Sequence, residues 1–437
     1  MLTEIDGKRR PGTVGLKREE FENGIAFLSN EVRDSETVAI SGSVKAGAIC
    51  DEPGYFGSAE LVSRLLMRGT ESMSANQISQ RIEESGATLS FDNRDESVGF
   101  SSRCYSGALE NVLDIISECL MRPSFPEQEI NLARNEILSE IKAEEDDTRS
   151  KAYRALAETI FGKNAPYGRD SLGKSEELNA LTQRNVKHFH EENYSPDRLA
   201  FAITGGYEFE TVRSKIDKLF SGWSGRAKKF RFPDPDKQEP GNAFANMKHK
   251  TQVDLAIGTR AIPRSSHDYY PMNLGNLILG RLGLYGRLGK KVREESGLAY
   301  YSYSILQARL FSGMFGVFAG VNPANVVRAH ESILEEIKRI TADPIPPKEL
   351  ETAKRNSLGS LSISLDTSIE RVAILHDIEY NGLGMDYLER IPGILNRVSS
   401  EEILSSFERH IDTGKLSMAV AGPIPPEVLT KFSTDNQ

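Results

Sequence analysis

From residue 37 to residue 46 the chain alternates apolar and polar side chains, the period-2 pattern of a strand with one buried face. Asn23-Gly24, shortly before it, is a hairpin turn signal between short strands. Residues 58–67 follow helical spacing. Ser74 and Gln77 stand three apart, as in a capping box, and predict a helix that stops at Gly86. Strands are expected at 88–92 and 97–105. Leu109, Val112, Ile115, Ile116 and Leu120 then recur at the spacing of one helix face. Pro126 opens a long helix through Glu145, because proline suits the first helical turn. Helix is also expected over 151–161 and 182–192. A strand at 199–204, a Gly205-Gly206 turn and a helix to Phe220 complete this half.

The second half repeats the order. A strand is expected at 251–261, helices at 269–279 and 285–295, and strands at 299–306 and 313–319. Asn322 caps a helix that Pro323 opens and that runs to about residue 340. Pro346 opens another, residues 398–410 are helical, and 416–421 is a strand ending at Gly422-Pro423. The strand beginning at Leu199 and ending in Gly205 matches the one from Leu416 to Gly422 at an offset of 217 residues, and Leu181-Thr182 matches Val398-Ser399 at the same offset. Pro126, Ile130 and Ala133 match Pro346, Leu350 and Ala353 at an offset of 220. Matched units in constant order imply duplicated domains of about 200 residues each. The expected division is 1–220, a linker at 221–241 rich in Lys, Arg, Pro, Asp and Gly, and 242–437. Strands and helices in runs, without strict βα alternation, favour an α+β layer architecture of two homologous domains, each a sheet packed with helices.

Composition narrows the function classes. Of 437 residues, 38% are hydrophobic and 27% charged, with a formal net charge of −9. That balance suits an ordinary globular protein and argues against a nucleic-acid or anionic-membrane surface. No apolar run approaches the roughly 18 residues of a membrane span. Residues 1–20 are charged and show no signal peptide, and Cys50, Cys104 and Cys119 form neither a disulfide framework nor a thiolate zinc site. A reducing cytoplasm fits both observations. None of the seven histidines precedes His188. His188 and His190, two apart, fall on different faces of a helix and are expected to be helix-surface residues.

One helix lacks the chemistry its frame calls for. Histidines at i and i+4 of a helix share a face and can bind one zinc, with a glutamate at i+3 activating water. Gly57, Ala59, Leu66, Gly69 and Thr70 form a frame that resembles the pitrilysin/insulinase family of zinc metallopeptidases, of the mitochondrial processing peptidase kind. The family's helix reads Gly-x-Ala-His-x-x-Glu-His and runs on to a Gly-Thr. Here Glu60 and Arg64 occupy the two histidine positions and Ser63 the general-base position. Glu140, 76 residues beyond Arg64, matches the family's distal glutamate ligand. Arg64 would put a permanent positive charge where the cation sits, so no metal is expected in this chain. Glu60 and Arg64 form a favourable i, i+4 pair. The guanidinium is expected between Glu60 and Glu140, the alternative being ordinary solvated helix charges. Ser63 has no evident base to make it a nucleophile.

A second motif is intact. The glycine-rich stretch from Gly280 to Gly289 does not follow the Gly-x-x-x-x-Gly-Lys-Ser/Thr pattern of a phosphate loop. Followed by Arg293, Glu294, Gly297, Leu298, Ala299 and Tyr300, it resembles the same family's glycine-rich loop and Arg-Glu-x-x-Gly-Leu-Ala-Tyr string. The resemblance implies that Arg293 and Tyr300 hold a substrate peptide. Guanidinium and phenol are donors suited to peptide carbonyls. Gly297 is expected to end the helix in a left-handed cap. The family further implies two αβ domains forming half of a clam-like chamber, closed by pairing with a homologous subunit. The leading expectation is a non-zinc subunit of a heterodimeric metallopeptidase. It would bind no cofactor itself and would supply Arg293 and Tyr300 to a zinc-bearing partner. The alternative is a non-catalytic scaffold or peptide-binding protein of the same fold, like the family's core subunits in respiratory assemblies.

Overall fold

The computed structural model describes residues 15–227, 230, 232 and 239–432. Within the linker expected at 221–241, residues 228, 229, 231 and 233–238 lie outside the described residues, as do residues 1–14 of the segment read for a signal peptide.

Two mixed sheets carry the α+β architecture. The first contains β1 (Leu16–Glu20), β2 (Ala26–Glu31), β3 (Thr37–Val44), β4 (Thr88–Asn93), β5 (Val98–Tyr105) and β6 (Leu199–Gly205), in the order β1-β2-β6-β3-β5-β4. The second contains β7 (Asn242–Asn246), β8 (Val253–Ala261), β9 (Ala299–Ala308), β10 (Gly313–Val321) and β11 (Ser417–Gly422), in the order β7-β11-β8-β10-β9. In each sheet a single pair is parallel, β2 with β6 and β7 with β11, and every other neighbour is antiparallel. Apart from the extra edge strand β1, the orders coincide. The strands matched at an offset of 217, β6 and β11, hold equivalent places.

The equivalence extends to backbone detail. Gly205 and Gly422 end these strands with φ of 139° and 135°. A Cβ on Gly205 would lie 2.1 Å from the Thr37 carbonyl oxygen, and one on Gly422 would lie 2.4 Å from that of Gln252. Both positions therefore need glycine for the same two reasons, a conformation L-residues avoid and a close backbone crossing. Thr182 and Ser399, also 217 apart, each close a capping box, with Asn185 and Glu402.

The chain forms two compact units, and neither is one stretch. The first comprises Met1–Ser139, Ser171–Arg231 and Ser360–Ile391; the second comprises Glu140–Asp170, Phe232–Gly359 and Pro392–Gln437. The sequence division at 1–220 and 242–437 contains no such exchange. In the first unit, helix Ser368–Tyr380 packs on β3 and β6, burying Val372, Leu375 and Ile378 with Leu28, Ala39 and Ala202. Burial of each large aliphatic side chain stabilises by roughly 1.5–3 kcal/mol. His376 on this helix meets Ser43 of β3, with Nε2 to Oγ at 2.8 Å. In the second unit, helix Thr148–Phe161 packs on β8 and β11 and buries Ala152, Leu156 and Ile160. Its Thr148 hydroxyl donates to buried Asp254 at 2.5 Å. Thr148 and Ser368 stand 220 residues apart, so the two helices are repeat equivalents that have traded sheets. The opposite faces are closed by aromatic packing: Phe27 stacks with Phe201 and Phe209 in the first unit, and Phe315 meets Phe407 edge-on in the second.

Candidate functional site

Helix Ser58–Leu65 is buried nearly all round; of its eight residues only Arg64 is half-buried. Its N-cap, Gly57, has φ 99° and no side chain to offer. Asp51 serves instead, accepting from the Gly57 and Ala59 N–H groups at 2.8 Å each. These are amides that the helix itself leaves without acceptors. The sequence reading missed Asp51; a glycine N-cap that cannot cap its own helix was the available signal.

Glu60 is buried, and its Oε1 accepts from Arg64 Nε at 2.5 Å, the i, i+4 pair expected. Ser63 is buried and donates its hydroxyl to the Glu60 carbonyl at 2.8 Å, so the proton a nucleophile would give up is spent on the helix. Arg68, one turn beyond Arg64, pairs with Glu136 at 3.0 Å and Glu129 at 3.3 Å on helix Glu127–Glu145. Glu140 is exposed on that helix, one turn past Glu136 and on its face. Among the described residues no group of three or more His, Cys, Asp or Glu is placed to hold a metal. The residues present also do not fit zinc, because a guanidinium occupies the helix face where a second ligand would stand.

In the second unit the expected helix at 285–295 takes a different form. Gly283–Tyr285 is a single 3-10 turn, and Gly289–Glu295 is wound as a π-helix. A second π segment covers Leu277–Arg281. Such windings are rare and concentrate at functional sites. The glycines serve packing: a Cβ on Gly289 would lie 2.1 Å from the Gly283 carbonyl oxygen, and one on Gly280 would lie 2.3 Å from the Ser304 nitrogen on β9. Gly297 ends the helix with φ 59°, the expected left-handed cap.

Arg293 is exposed, and Tyr300, near the start of edge strand β9, is 59% exposed. Neither the Arg293 guanidinium nor the Tyr300 hydroxyl makes a hydrogen bond or ion pair with any described residue. The neighbouring tyrosines differ. Tyr301 donates to Asp254, and Tyr303 is hydrogen-bonded by Arg149 at 3.3 Å. The structure thus brings Glu60, Ser63 and Arg64 together in the first unit and places Arg293 and Tyr300 in the second. Leu284, Tyr285 and Arg287, which the sequence reading left without a role, flank the motif. Tyr285 is 91% exposed, and Arg287 is buried against Glu349.

His188 is exposed as expected, but His190 is only half-exposed. Its ring lies against Phe125 and Tyr194, and Nε2 meets the Leu120 carbonyl at 2.8 Å. Burial lowers its pKa to about 4. Helical phase alone did not show which flank of the helix faces inward.

Two models of one peptidase family match the chain. Insulinase (Peptidase family M16) matches residues 26–173, and the Peptidase M16 inactive domain matches residues 180–357. The chain is similar to an uncharacterized zinc protease of Bacillus subtilis, YmxG, with 23% identity over 408 residues, covering 93% of this chain and 98% of that protein. It is similar to an uncharacterized zinc protease of Streptomyces coelicolor at 25% identity, covering 97% and 92%. Among solved structures, a peptidase M16 inactive domain from Pseudomonas fluorescens superposes with a TM-score of 0.88 at 21% identity, covering 94% of this chain and 98% of that one. A protease from Helicobacter pylori superposes with a TM-score of 0.86 at 16% identity, covering 93% and 99%.

Proposed function

This chain belongs to peptidase family M16, the insulinase family, as a member without the zinc motif, and from that membership we propose that it is the non-zinc subunit of a heterodimeric metallopeptidase. One contrast carries the reading. The positions of the zinc helix are closed by an ion pair of buried Glu60 with half-buried Arg64, while Arg293 and Tyr300 stand exposed with no partner among the described residues. An ion pair whose carboxylate is buried is costly to open, whereas exposed, unpaired donors are free to meet a ligand.

In this reading Arg64 replaces the lost cation electrostatically. Glu140 is the proposed further carboxylate, since it lies one turn past the glutamate that pairs with Arg68. A zinc-bearing homologous subunit supplies the metal and the water-activating base. Arg293 holds the peptide by its carbonyls, and Tyr300 donates to the carbonyl oxygen that gains charge during hydrolysis. The cytoplasm is the proposed compartment, and cell fractionation tests it.

Co-expression with zinc-bearing relatives from the same source tests the pairing. The expected result is a stable complex with peptidase activity, with zinc in the partner. Tyr300→Phe should lower kcat/KM of the pair by roughly 10²-fold, the usual loss on removing one donor to a developing oxyanion, and Arg293→Ala should raise KM, while the complex still forms. Failure to pair with every such relative, or stoichiometric zinc in this chain, would overturn the reading. A complex whose activity ignores both substitutions would favour the scaffold role.

A further inference from the structure

The segment around the Arg293 motif is charged against the trend of the chain. The protein carries a formal net charge of −9, yet Arg281, Lys290, Lys291 and Arg293 cluster here. Arg281, Lys291 and Arg293 make no side-chain hydrogen bond or ion pair with any described residue. Lys290 reaches Glu295 at only 3.9 Å, and Glu294 is exposed beside them without balancing the excess. The turn Gly283–Tyr285 packs against the π-helix Gly289–Glu295, so Lys290, Lys291 and Arg293 lie on the element packed against the turn that carries an apolar tip. At that tip Tyr285 is 91% exposed and Leu284 is 43% exposed.

A second observation lies below the surface. The Arg287 side chain is only 8% exposed; its Nε donates to Glu349 at 2.9 Å, but its Nη1 is buried with no hydrogen-bond partner. A buried donor left unmade is unfavourable, and a charged acceptor satisfies it best. At the root of the loop Arg287 keeps one buried donor unmade beside its Glu349 pair, and on the rim Arg281, Lys291 and Arg293 lack anionic partners among the described residues.

We propose that the peptide held by Arg293 and Tyr300 carries a carboxylate beside a large apolar side chain, the carboxylate being met by Arg281, Lys291 and Arg293 and the apolar group by Leu284 and Tyr285. This specifies the substrate class of the site described above and rests on that assignment. The carboxylate comes from an acidic side chain or from the peptide's own C-terminus. A peptide is favoured over an anionic bilayer because the remainder of the protein is acidic and would be repelled from one.

Fluorescence anisotropy on the whole chain, without any partner subunit, tests the inference. Fluorescent peptides of equal length would contain Phe beside two Glu, Phe beside two Lys, or Ala beside two Glu, the first both as a free acid and as a C-terminal amide. The Phe-Glu peptide should bind about tenfold or more tighter than the Phe-Lys peptide at about 0.15 M ionic strength, and the preference should fall at about 0.5 M. Arg281→Glu/Lys291→Glu should erase that preference, and Tyr285→Ser should weaken the Phe peptide without affecting its Ala counterpart. Loss of binding on amidation assigns the carboxylate to the C-terminus; retention assigns it to the side chains. Equal or tighter binding of the Lys peptide, or binding of phosphatidylserine vesicles with no peptide binding, overturns the inference. The outcome is separable from that of the pairing experiment: acidic-peptide selectivity with no zinc-bearing partner would sink the heterodimer and leave the binding specificity standing.

Discussion

At the scale of single residues, the pair Glu60–Arg64 converts a metal site into an internal salt bridge. The Glu60 and Arg64 side chains are 9% and 25% exposed, so removing Arg64 takes a charge partner from a buried carboxylate. Breaking a fully buried pair costs about 3–5 kcal/mol. Arg64 is partly screened by solvent, so we expect Arg64→Ala to destabilise by about 1–3 kcal/mol. Glu60→Leu/Arg64→Met should return to within about 1 kcal/mol of the parent, because replacing both charges removes the desolvation cost together with the attraction. Urea unfolding of the three proteins measures this, and a neutral Arg64→Ala would mean that the charges are merely solvated. The identity of these substitutions was legible in the sequence because the i, i+4 spacing is local. The inward turn of Arg287, among several basic neighbours that face water, was not, because a sequence does not show which long cationic side chain the fold encloses.

At the scale of elements, local signals read well and pairing choices did not. The capping box at Ser74–Gln77 and the helix opened by Pro126 formed as their residues dictate. Nothing local distinguishes helix Thr148–Phe161 from helix Ser368–Tyr380 as the cover of a given sheet, since both carry apolar stripes and the sheets are copies. The π winding of Gly289–Glu295 was equally hidden, because it alters the hydrogen-bond step without changing the residues that favour a helix. Helix Ser368–Tyr380 also carries a titratable group. His376 is enclosed by Ser43 and the Tyr380 ring; burial, aided by the charges of Arg94 and Lys45, lowers its pKa from 6.5 to about 4. Its folded form is therefore neutral where the unfolded chain takes up a proton. The resulting stability is full above about pH 6.5 and is lost as pH falls towards about 4, at up to about 1.4 kcal/mol per pH unit. His190, lowered to about 4 in the same way, adds a second term of the same sign. Urea midpoints between these pH values should fall less steeply in His376→Gln than in the parent. Parallel curves would show that His376 is not neutral in the folded protein.

At the scale of the whole molecule, duplication and exchange together determine what can fold alone. Each sheet is built from its own half of the chain, but the helix that closes one face comes from the other half. A fragment of residues 1–231 would form β1 to β6 and leave Leu28, Ala39 and Ala202 facing water, since Val372, Leu375 and Ile378 lie outside it. A single buried leucine truncated to alanine costs about 2–5 kcal/mol, and here a whole helix face is missing, against a typical domain stability of about 5–15 kcal/mol. Residues 1–231 and 232–437 expressed separately should therefore give species that bind hydrophobic dyes and unfold without cooperativity. The first unit is completed by Ser360–Ile391 and the second by Glu140–Asp170, so each fragment holds the segment the other needs. Mixing or co-expressing them should restore one cooperative transition with the circular dichroism of the intact chain. Independent cooperative unfolding of residues 1–231 at the stability of the intact protein would show that the exchanged helix is dispensable. The exchange also makes each sheet's completion depend on residues far along the chain, a long-range closure that slows folding. For this reason the refolding rate of the mixed fragments should depend on their concentration, whereas that of the intact chain should not.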